Sequence, residues 1–277
     1  MLLFSLVLIL LILGVEICFP SSTVLQTINQ LFFLNLEVTM DLKISLDTGA
    51  RMTIQEFYSN LGKRYEDAYG HNAGLQRMVQ HFLDLLPPKA SVLDCGCGTG
   101  KPVSYMIAES GRKPYGIDFS PKMVELSKKQ VPQGTFKQCN MLDYTAAPAT
   151  FAGATVILSI FGLDRAGITH MAENFFDWIQ PGGHLLLCVF GAEDCKTRPE
   201  RYDSDGECAH GIESIFMAHM SYMTLFTKEG WTRMLESVGF EIAETRTDTF
   251  DTPKEAVCDD NLYYYIIAKK PDIRASL

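Results

Sequence analysis

Residues 92–100, VLDCGCGTG, decide the fold of this chain. The pattern predicts a short apolar strand that carries Asp94 towards its end and then passes into a glycine-rich loop. The three glycines have no side chain where the backbone must turn tightly and approach a ligand. A helix expected to begin near Pro102 would point its free amide groups at the same place. The stretch therefore predicts a ligand site at the tip of a strand.

The spacing of Gly96, Gly98 and Gly100 is G-x-G-x-G, whereas the dinucleotide fingerprint is G-x-G-x-x-G. Such a loop can hold a pyrophosphate or the carboxylate end of S-adenosylmethionine. A nucleotide-dependent oxidoreductase is therefore the second hypothesis, and a non-catalytic cofactor-binding subunit is the third. Fold alone cannot separate the three hypotheses.

A second motif, Gly116-Ile117-Asp118, ends the next predicted strand about 20 residues after the loop, the interval at which an acid meets a ribose. The carboxylate of Asp118 could accept both hydroxyls of an adenosine. Asp118 could instead cap the following helix, but Ser120, which precedes Pro121, is the better candidate for that position. Asp118 is therefore predicted to bind a ligand.

Short apolar runs alternate with helical patterns around these motifs, which favours a parallel sheet covered by helices on both faces. The last two runs are joined by a long connection and indicate an antiparallel edge strand. We expect an α/β, Rossmann-like fold with a seven-stranded, mostly parallel sheet. The predicted strands are 91–94, 114–119, 135–139, 154–160, 184–190, 240–246 and 262–268.

One catalytic domain is expected over residues 50–270. Apolar residues at helical spacing predict two amphipathic helices within 50–86, before a cofactor-binding core over 90–190. Residues 191–227 show no firm period and are too long for a plain connection, so we expect an inserted cap that lines an acceptor pocket. A helix and the edge strands follow over 228–270.

The composition favours one sizeable core, since 47% of the 277 residues are hydrophobic. The formal net charge of −9 argues against general nucleic-acid binding, because it would repel a phosphate backbone. The cysteines have no C-x-x-C pair, so no metal site is expected, although Cys188, Cys195, Cys208 and His210 could be assembled into one on paper. Reduced thiols indicate a cytoplasmic protein.

Residues 1–40 form an apolar N-terminal extension of uncertain status. Residues 1–15 are apolar apart from Ser5, and no Lys or Arg precedes Lys43. A membrane tether, a signal peptide and a non-native extension before Met40 or Met52 all remain open, and we favour the last slightly. Membrane contact is expected only through residues 1–20, so a membrane-tethered protein is the alternative to a cytoplasmic one.

The two main motifs together resemble the class I S-adenosylmethionine-dependent methyltransferases, in particular the small-molecule methyltransferases of fungal secondary metabolism. The resemblance covers residues 58–270. It is carried by VLDCGCGTGKPV at 92–103, GIDFSPKMVELSKKQVP at 116–132, QCNMLDY at 138–144 and WIQPGGHLLL at 178–187.

The resemblance implies a role for each part of the site. The loop and Asp94 would surround the methionine moiety, and Asp118 would bind the ribose. Phe119 and Met123 would flank the adenine, although Met123 could equally be helix packing. Many relatives have Asp at the position of Asn140, whose amide oxygen can still accept a hydrogen bond. The implied cofactor-binding residues are Tyr58, Asp94, Gly96, Cys97, Gly98, Gly100, Asp118, Phe119, Met123, Asn140, Met141 and Ser159.

The acceptor is expected to be a small molecule, methylated at N, O or S by a monomer or a homodimer. The sequence LSIFGL at 158–163 lacks the Asn-Pro-Pro-Tyr type of motif of enzymes that methylate nucleobase or glutamine nitrogens. Asp164 stands alone, without the paired acids of a magnesium site. A general base is optional, and His210, His219 and Tyr222 are its candidates. Tyr65 is interpreted as core packing.

Overall fold

The strands of the computed structural model, which describes residues 52–259 and 262–272, form one large sheet and one hairpin. In chain order they are β1 (Ser91–Cys95), β2 (Lys113–Asp118), β3 (Thr135–Gln138), β4 (Phe151–Ile157), β5 (Ile179–Val189), β6 (Cys208–Phe216), β7 (His219–Phe226), β8 (Glu241–Thr249) and β9 (Leu262–Lys269).

The large sheet has the strand order β3-β2-β1-β4-β5-β9-β8. Strands β1 to β5 are parallel, and β9 runs antiparallel to both of its neighbours, β5 and β8. The predicted seven-stranded, mostly parallel sheet is therefore confirmed, with the antiparallel strand one position in from the edge. The parallel strands end at one edge, and the loops that follow them are where such folds bind ligands.

Helices flank this sheet on both sides, as predicted. They are α1 (Ile54–Leu61), α2 (Lys63–Tyr69), α3 (Ala73–Asp84), α4 (Val103–Glu109), α5 (Pro121–Gln130), α6 (Arg165–Trp178) and α7 (Lys228–Val238). No helix in the part of the chain that the structure describes is both long enough and apolar enough to cross a membrane. The expectations for residues 1–40 lie outside the described residues.

The first predicted helix is divided into α1 and α2. Gly62 lies between them with φ 49°, a conformation that glycine adopts without steric cost. Thr53 and Glu56 form a capping box at the start of α1, so this helix begins at a defined point. The chain therefore turns at Gly62, and α1 and α2 are separate helices.

Residues 191–227 fold mainly as an antiparallel hairpin of β6 and β7, preceded by two short 3-10 turns at Ala192–Asp194 and Pro199–Arg201. The hairpin turn consists of Met217 and Ala218, which have φ 51° and 62°. The sequence concealed these strands because apolar side chains occupy both of their faces. Ile215 and Met220 lie exposed on one face, while Phe216 packs inwards on the other.

The main core lies between the sheet and its helices. All seven residues of β4 are buried, and Trp231 of α7 is fully buried beneath the sheet. The indole Nε1 of Trp231 donates to the carbonyl oxygen of Phe190 at 3.0 Å. Burial of one such side chain contributes on the order of 2 kcal/mol, so the core holds the strand tips in fixed positions.

Candidate active site

The glycine loop after β1 has one face against the protein and one open face. A Cβ atom on Gly96, which has φ 79°, would lie 2.3 Å from Cβ of Ser159. At Gly98, which has φ 52°, the nearest neighbour of a Cβ atom would be Cε1 of Tyr65, at 3.9 Å. Gly96 is therefore needed for packing, whereas Gly98 borders the space that a ligand could use. Gly100 also packs closely, because its Cβ would lie 3.0 Å from Cβ of Ser127.

Cys97 points its side chain away from this open face. Its thiol is buried with Val124, Val131 and Phe136, and burial raises the pKa of the thiol well above its ordinary value. The backbone amide of Cys97 donates to the carbonyl oxygen of Ile117 at 3.0 Å. The structure thus brings only the backbone of Cys97 to the predicted site.

Asp94 is buried behind the loop. One carboxylate oxygen accepts from Ser104 Oγ at 2.5 Å, and the other accepts from Thr155 Oγ1 at 2.9 Å. Burial raises the pKa of Asp94 to about 6, and the two hydroxyl bonds act in the opposite direction. Asp94 therefore joins β1, β4 and α4, and it supports the loop from behind.

Asp118 ends β2 and faces the loop from the other side. Its Oδ2 accepts from the amide of Gly98 at 2.9 Å, and its Oδ1 accepts from the amide of Ser120 at 2.8 Å. Burial raises the pKa of Asp118 to about 6, against the lowering effect of these two bonds. A carboxylate oxygen can accept more than one hydrogen bond, so each oxygen retains capacity for a ligand hydroxyl.

Helix α1 lies over the loop that follows Asp118. Gln55 Nε2 donates to the carbonyl oxygen of Phe119 at 2.6 Å, and the hydroxyls of Ser59 and Ser120 are 2.9 Å apart. The ring of Tyr58 meets that of Phe119 edge to face, with centroids 5.8 Å apart. Burial first, and then the charge of Asp118, raise the pKa of Tyr58 to about 12. Tyr58 and Phe119 are thus brought beside Asp118.

The other residues predicted to contact the adenine are Met123, Asn140 and Met141, and they differ in burial. Met123 is buried against Phe57 and Leu61, so it packs α5 against α1. Asn140 is exposed, and its Oδ1 accepts from the amide of Leu142 at 3.1 Å. Met141 begins the 3-10 turn Met141–Asp143 after β3 and packs against the main core.

The ends of β4 and β5 form the other side of the site. Ser159 Oγ donates to the carbonyl oxygen of Cys95 at 2.8 Å, which joins the loop after β4 to the tip of β1. The rings of Phe161 and Phe190 are stacked, with centroids 5.0 Å apart. The amide of Thr224 in β7 donates to the carbonyl oxygen of Phe161 at 3.0 Å, so the hairpin is attached here.

A continuous series of ring contacts runs along this edge of the sheet, and we call it the aromatic arc. Neighbouring centroids are 5.0 to 6.2 Å apart, within the range of favourable aromatic pairs. In spatial order its members are Phe119, Tyr58, Phe216, Tyr69 with Tyr65, Phe250, Tyr263, Phe190 and Phe161.

Sequence reasoning did not assemble this arc. Tyr65 packs against two buried clusters, as the sequence predicts, and its ring also approaches Gly98 and stacks on Tyr69 with centroids 5.2 Å apart. Burial raises the pKa of both tyrosines. The i, i+4 spacing of Tyr65 and Tyr69 was a usable signal, because it places both rings on one face of a helix.

The three candidate bases are not brought together. Tyr222 is 64% exposed and lies on the hairpin face opposite Phe216. His219 stacks on Phe57 with centroids 4.7 Å apart. His210 is bonded through Nε2 to Asp203 at 2.8 Å. The geometry therefore gives none of the three a contact with the glycine loop or Asp118 among the described hydrogen bonds.

His210 also belongs to a cluster with metal-ligand chemistry. Ligand atoms of Asp203, Cys208 and His210 lie within 4.8 Å of one another. However, the guanidinium of Arg165 donates to Asp203 at 2.8 Å and thereby supplies the positive charge at this position. The arrangement is an ion-pair cluster that joins α6 to the hairpin.

Comparisons with known proteins agree with this architecture. A family model described as a methyltransferase domain matches residues 68–245. Phosphoethanolamine N-methyltransferase 1 of Triticum aestivum is 28% identical over 201 residues, which cover 68% of this chain and 37% of that protein. This chain therefore spans little more than a third of that relative's length. The putative methyltransferase YqeM of Bacillus subtilis is 22% identical over 230 residues, covering 72% of this chain and 92% of that protein.

Solved structures share the fold. The 1,6-didemethyltoxoflavin-N1-methyltransferase of Burkholderia thailandensis, with 1,6-didemethyltoxoflavin and S-adenosylhomocysteine bound, has a TM-score of 0.57 at 17% identity, covering 79% of this chain and 88% of that one. A methyltransferase from Methanosarcina mazei has a TM-score of 0.55 at 20% identity, covering 70% of this chain and 97% of that one.

Proposed function

The chain belongs to the methyltransferase-domain family, and from this premise we propose that it is an S-adenosylmethionine-dependent methyltransferase that methylates a small molecule at N, O or S. The observation that best supports the proposal is the position of the Asp118 carboxylate. Its carboxylate holds the amides of Gly98 and Ser120 and retains capacity for two hydroxyls next to the open face of the loop.

The residues of the site fit S-adenosylmethionine. We assign the ribose to Asp118 and the methionine moiety to the loop at Gly98, with Tyr58 and Phe119 beside the adenosine. Gly96 and Gly100 shape the loop, while Asp94 and Ser159 support it from behind. The roles of Asn140, Met141 and Met123 at the adenine remain predictions.

When bound, S-adenosylmethionine supplies an electrophilic methyl group, which bonds to a lone pair of the acceptor while the electrons of the broken S–C bond remain on sulfur. The chain's own residues orient the acceptor and exclude water. An acceptor that binds as a neutral amine, a phenolate or a thiolate already has a free lone pair, so no side chain has to remove a proton first. The ammonium formed from an amine loses its proton to water after release.

Finer assignments remain predictions. The relatives include phosphoethanolamine N-methyltransferases of plants and a 2-methyl-6-phytyl-1,4-hydroquinone methyltransferase of Synechocystis. A role in fungal secondary metabolism, which the resemblance implied, therefore has no support from these relatives. The monomeric or homodimeric state and the cytoplasmic location also stay predictions.

A binding experiment tests the proposal directly. The full-length protein is titrated calorimetrically with S-adenosylmethionine, S-adenosylhomocysteine and NADPH. We expect saturable binding of the first two and none of NADPH, followed by transfer of a labelled methyl group to a small molecule from an extract. Tight binding of NADPH without a response to the other two ligands would overturn the assignment of the loop.

A further inference from the structure

The aromatic arc borders the site with rings and without positive charge. No Lys or Arg is buried in residues 52–259 and 262–272. The described cation–π contacts involve Tyr105, Tyr144, Phe226, Tyr264 and Phe176, none of which belongs to the arc. The carboxylate of Asp118, whose charge acts on Tyr58 of the arc, accepts two backbone amides. The arc therefore offers aromatic rings and four tyrosine hydroxyls, and no Lys or Arg lies over one of its rings among the described cation–π pairs.

We infer that the acceptor is a molecule with a planar ring and without a phosphate or quaternary ammonium group, held by stacking in the aromatic arc, and that Phe216 determines this specificity. The inference deepens the proposed function and rests on it. Two stacked pairs belong to the arc, Tyr65 with Tyr69 near its middle and Phe161 with Phe190 at one end, and a planar ring can extend such stacks.

Phe216 is the member through which the two helices and the hairpin meet. Its ring centroid is 6.1 Å from that of Tyr58, 6.3 Å from that of Tyr65 and 5.7 Å from that of Tyr69. It contacts the rings of both α1 and α2, and it lies at the end of β6. Removal of this ring would open the arc directly beside Tyr65, which approaches the glycine loop.

Hydrogen bonds of the backbone next to Phe216 hold this end of the hairpin, and the ring of Phe216 takes no part in them. The amide of Ala218 donates to the carbonyl oxygen of Val257 at 3.0 Å, and the amide of Met217 donates to Sγ of Cys258 at 3.3 Å. Phe216 is paired with His219 across the hairpin. A change of the ring should therefore alter the arc while the hairpin stays in place.

A phosphorylated amine fits this surface poorly. Recognition of a phosphate relies on Arg or Lys, whose charge-assisted hydrogen bonds offset the loss of hydration. The arc offers neither residue, and the chain carries a formal net charge of −9, which opposes an anionic ligand. We therefore expect phosphoethanolamine to bind this surface weakly.

The test uses full-length protein saturated with S-adenosylhomocysteine and titrated calorimetrically with three probes. These are 2-naphthol, which is a neutral ring, choline, which is a cation, and phosphoethanolamine. We expect binding of 2-naphthol alone. Phe216→Ala should weaken this binding by about tenfold, the upper range for loss of an aromatic pair. Phe216→Tyr should restore it, and Ile215→Ala, on the outer face of the hairpin, should leave it unchanged.

Tighter binding of choline or phosphoethanolamine than of 2-naphthol would overturn the inference, as would unchanged 2-naphthol binding by Phe216→Ala. If Phe216→Ala no longer binds S-adenosylhomocysteine, Phe216→Leu replaces it under the same criterion, because leucine fills much of the volume without a ring. Failure of the wild-type protein to bind S-adenosylhomocysteine rejects the proposed function itself. Binding of S-adenosylhomocysteine without 2-naphthol rejects only the acceptor class.

Discussion

Replacement of Asp118 by Ala should weaken cofactor binding strongly while lowering the free energy of unfolding only slightly. The change removes two hydrogen bonds from backbone amides to a carboxylate, which together contribute about 3 to 6 kcal/mol. It also relieves the burial of a charge. Burial raises the pKa of Asp118 from 3.8 to about 6 even though both bonds lower it, so at neutral pH the penalty of burying the charge more than offsets their effect on the ionised group. The net loss in the free energy of unfolding is therefore at most about 3 kcal/mol, the smaller value for the two bonds.

The loss in cofactor affinity has no such offset. Two ribose hydroxyls would donate to the ionised carboxylate, and the loss of both bonds costs at least about 3 kcal/mol. This corresponds to at least a hundredfold increase in the Kd for S-adenosylhomocysteine. For a domain of this size, the stability term lowers Tm by at most about 12 °C, so the variant can be assayed in its folded state.

The assay is calorimetric titration of S-adenosylhomocysteine, with Tm measured on the same samples. Asp164→Ala is the matched control, because Asp164 is an exposed carboxylate that caps α6 by accepting from the amide of Gly167 at 2.8 Å. Its loss should cost about 1 kcal/mol of stability and leave the Kd unchanged. If Asp118→Ala binds S-adenosylhomocysteine within threefold of the wild type, the ribose assignment is wrong.

Three further predictions concern the surroundings of the loop. Gly98→Ala places a methyl group on the open face, 3.9 Å from Tyr65, and should weaken S-adenosylhomocysteine binding more than tenfold in calorimetry. The left-handed conformation at residue 98 should lower the free energy of unfolding of this variant by only about 1 to 2 kcal/mol, which the Tm reports. Burial raises the pKa of Asp94 to about 6, so the stability that its protonated carboxyl contributes is complete below pH 4 and is lost as the pH rises through 6. In urea unfolding, the free energy of unfolding should therefore fall less from pH 5 to 7 for Asp94→Asn than for the wild type. An equal fall in both proteins would refute this. Arg165→Met removes ion pairs to Asp203 and Asp205 and should lower the unfolding free energy by about 1 kcal/mol, with a smaller loss in high salt; a salt-independent loss would contradict the ion-pair role.

Local patterns were sufficient wherever neighbours in sequence decide the conformation. Ser120 caps α5 and Pro121 occupies its first turn, as predicted, because both effects act within one turn of helix. The boundary of β4 was less accurate. The predicted strand 154–160 ends at Ile157, where Leu158 adopts φ 51° and redirects the chain. Leucine rarely adopts a positive φ, so the residue type at position 158 does not predict this turn.

The site shows the same division. The sequence placed Asp118 at a strand tip facing the glycine loop, and the structure has it there. It could not show that Cys97 turns into a core with Phe136, because that direction depends on the packing of α5 against β3. Nor could it distinguish Asp94 as a support of the loop, since its partners Ser104 and Thr155 come from separate elements.

The sequence by itself determined the sheet, the cofactor loop and the acid beside it, because these features depend on the period of apolar residues and on spacings within about 20 residues. The tertiary structure alone decided what surrounds the acceptor. Tyr58 and Tyr263 are far apart in the chain, and Phe216 lies on a hairpin whose two apolar faces hide its period. Such rings meet only when the sheet aligns the strand tips and the helices close over them, and no local pattern encodes that distance.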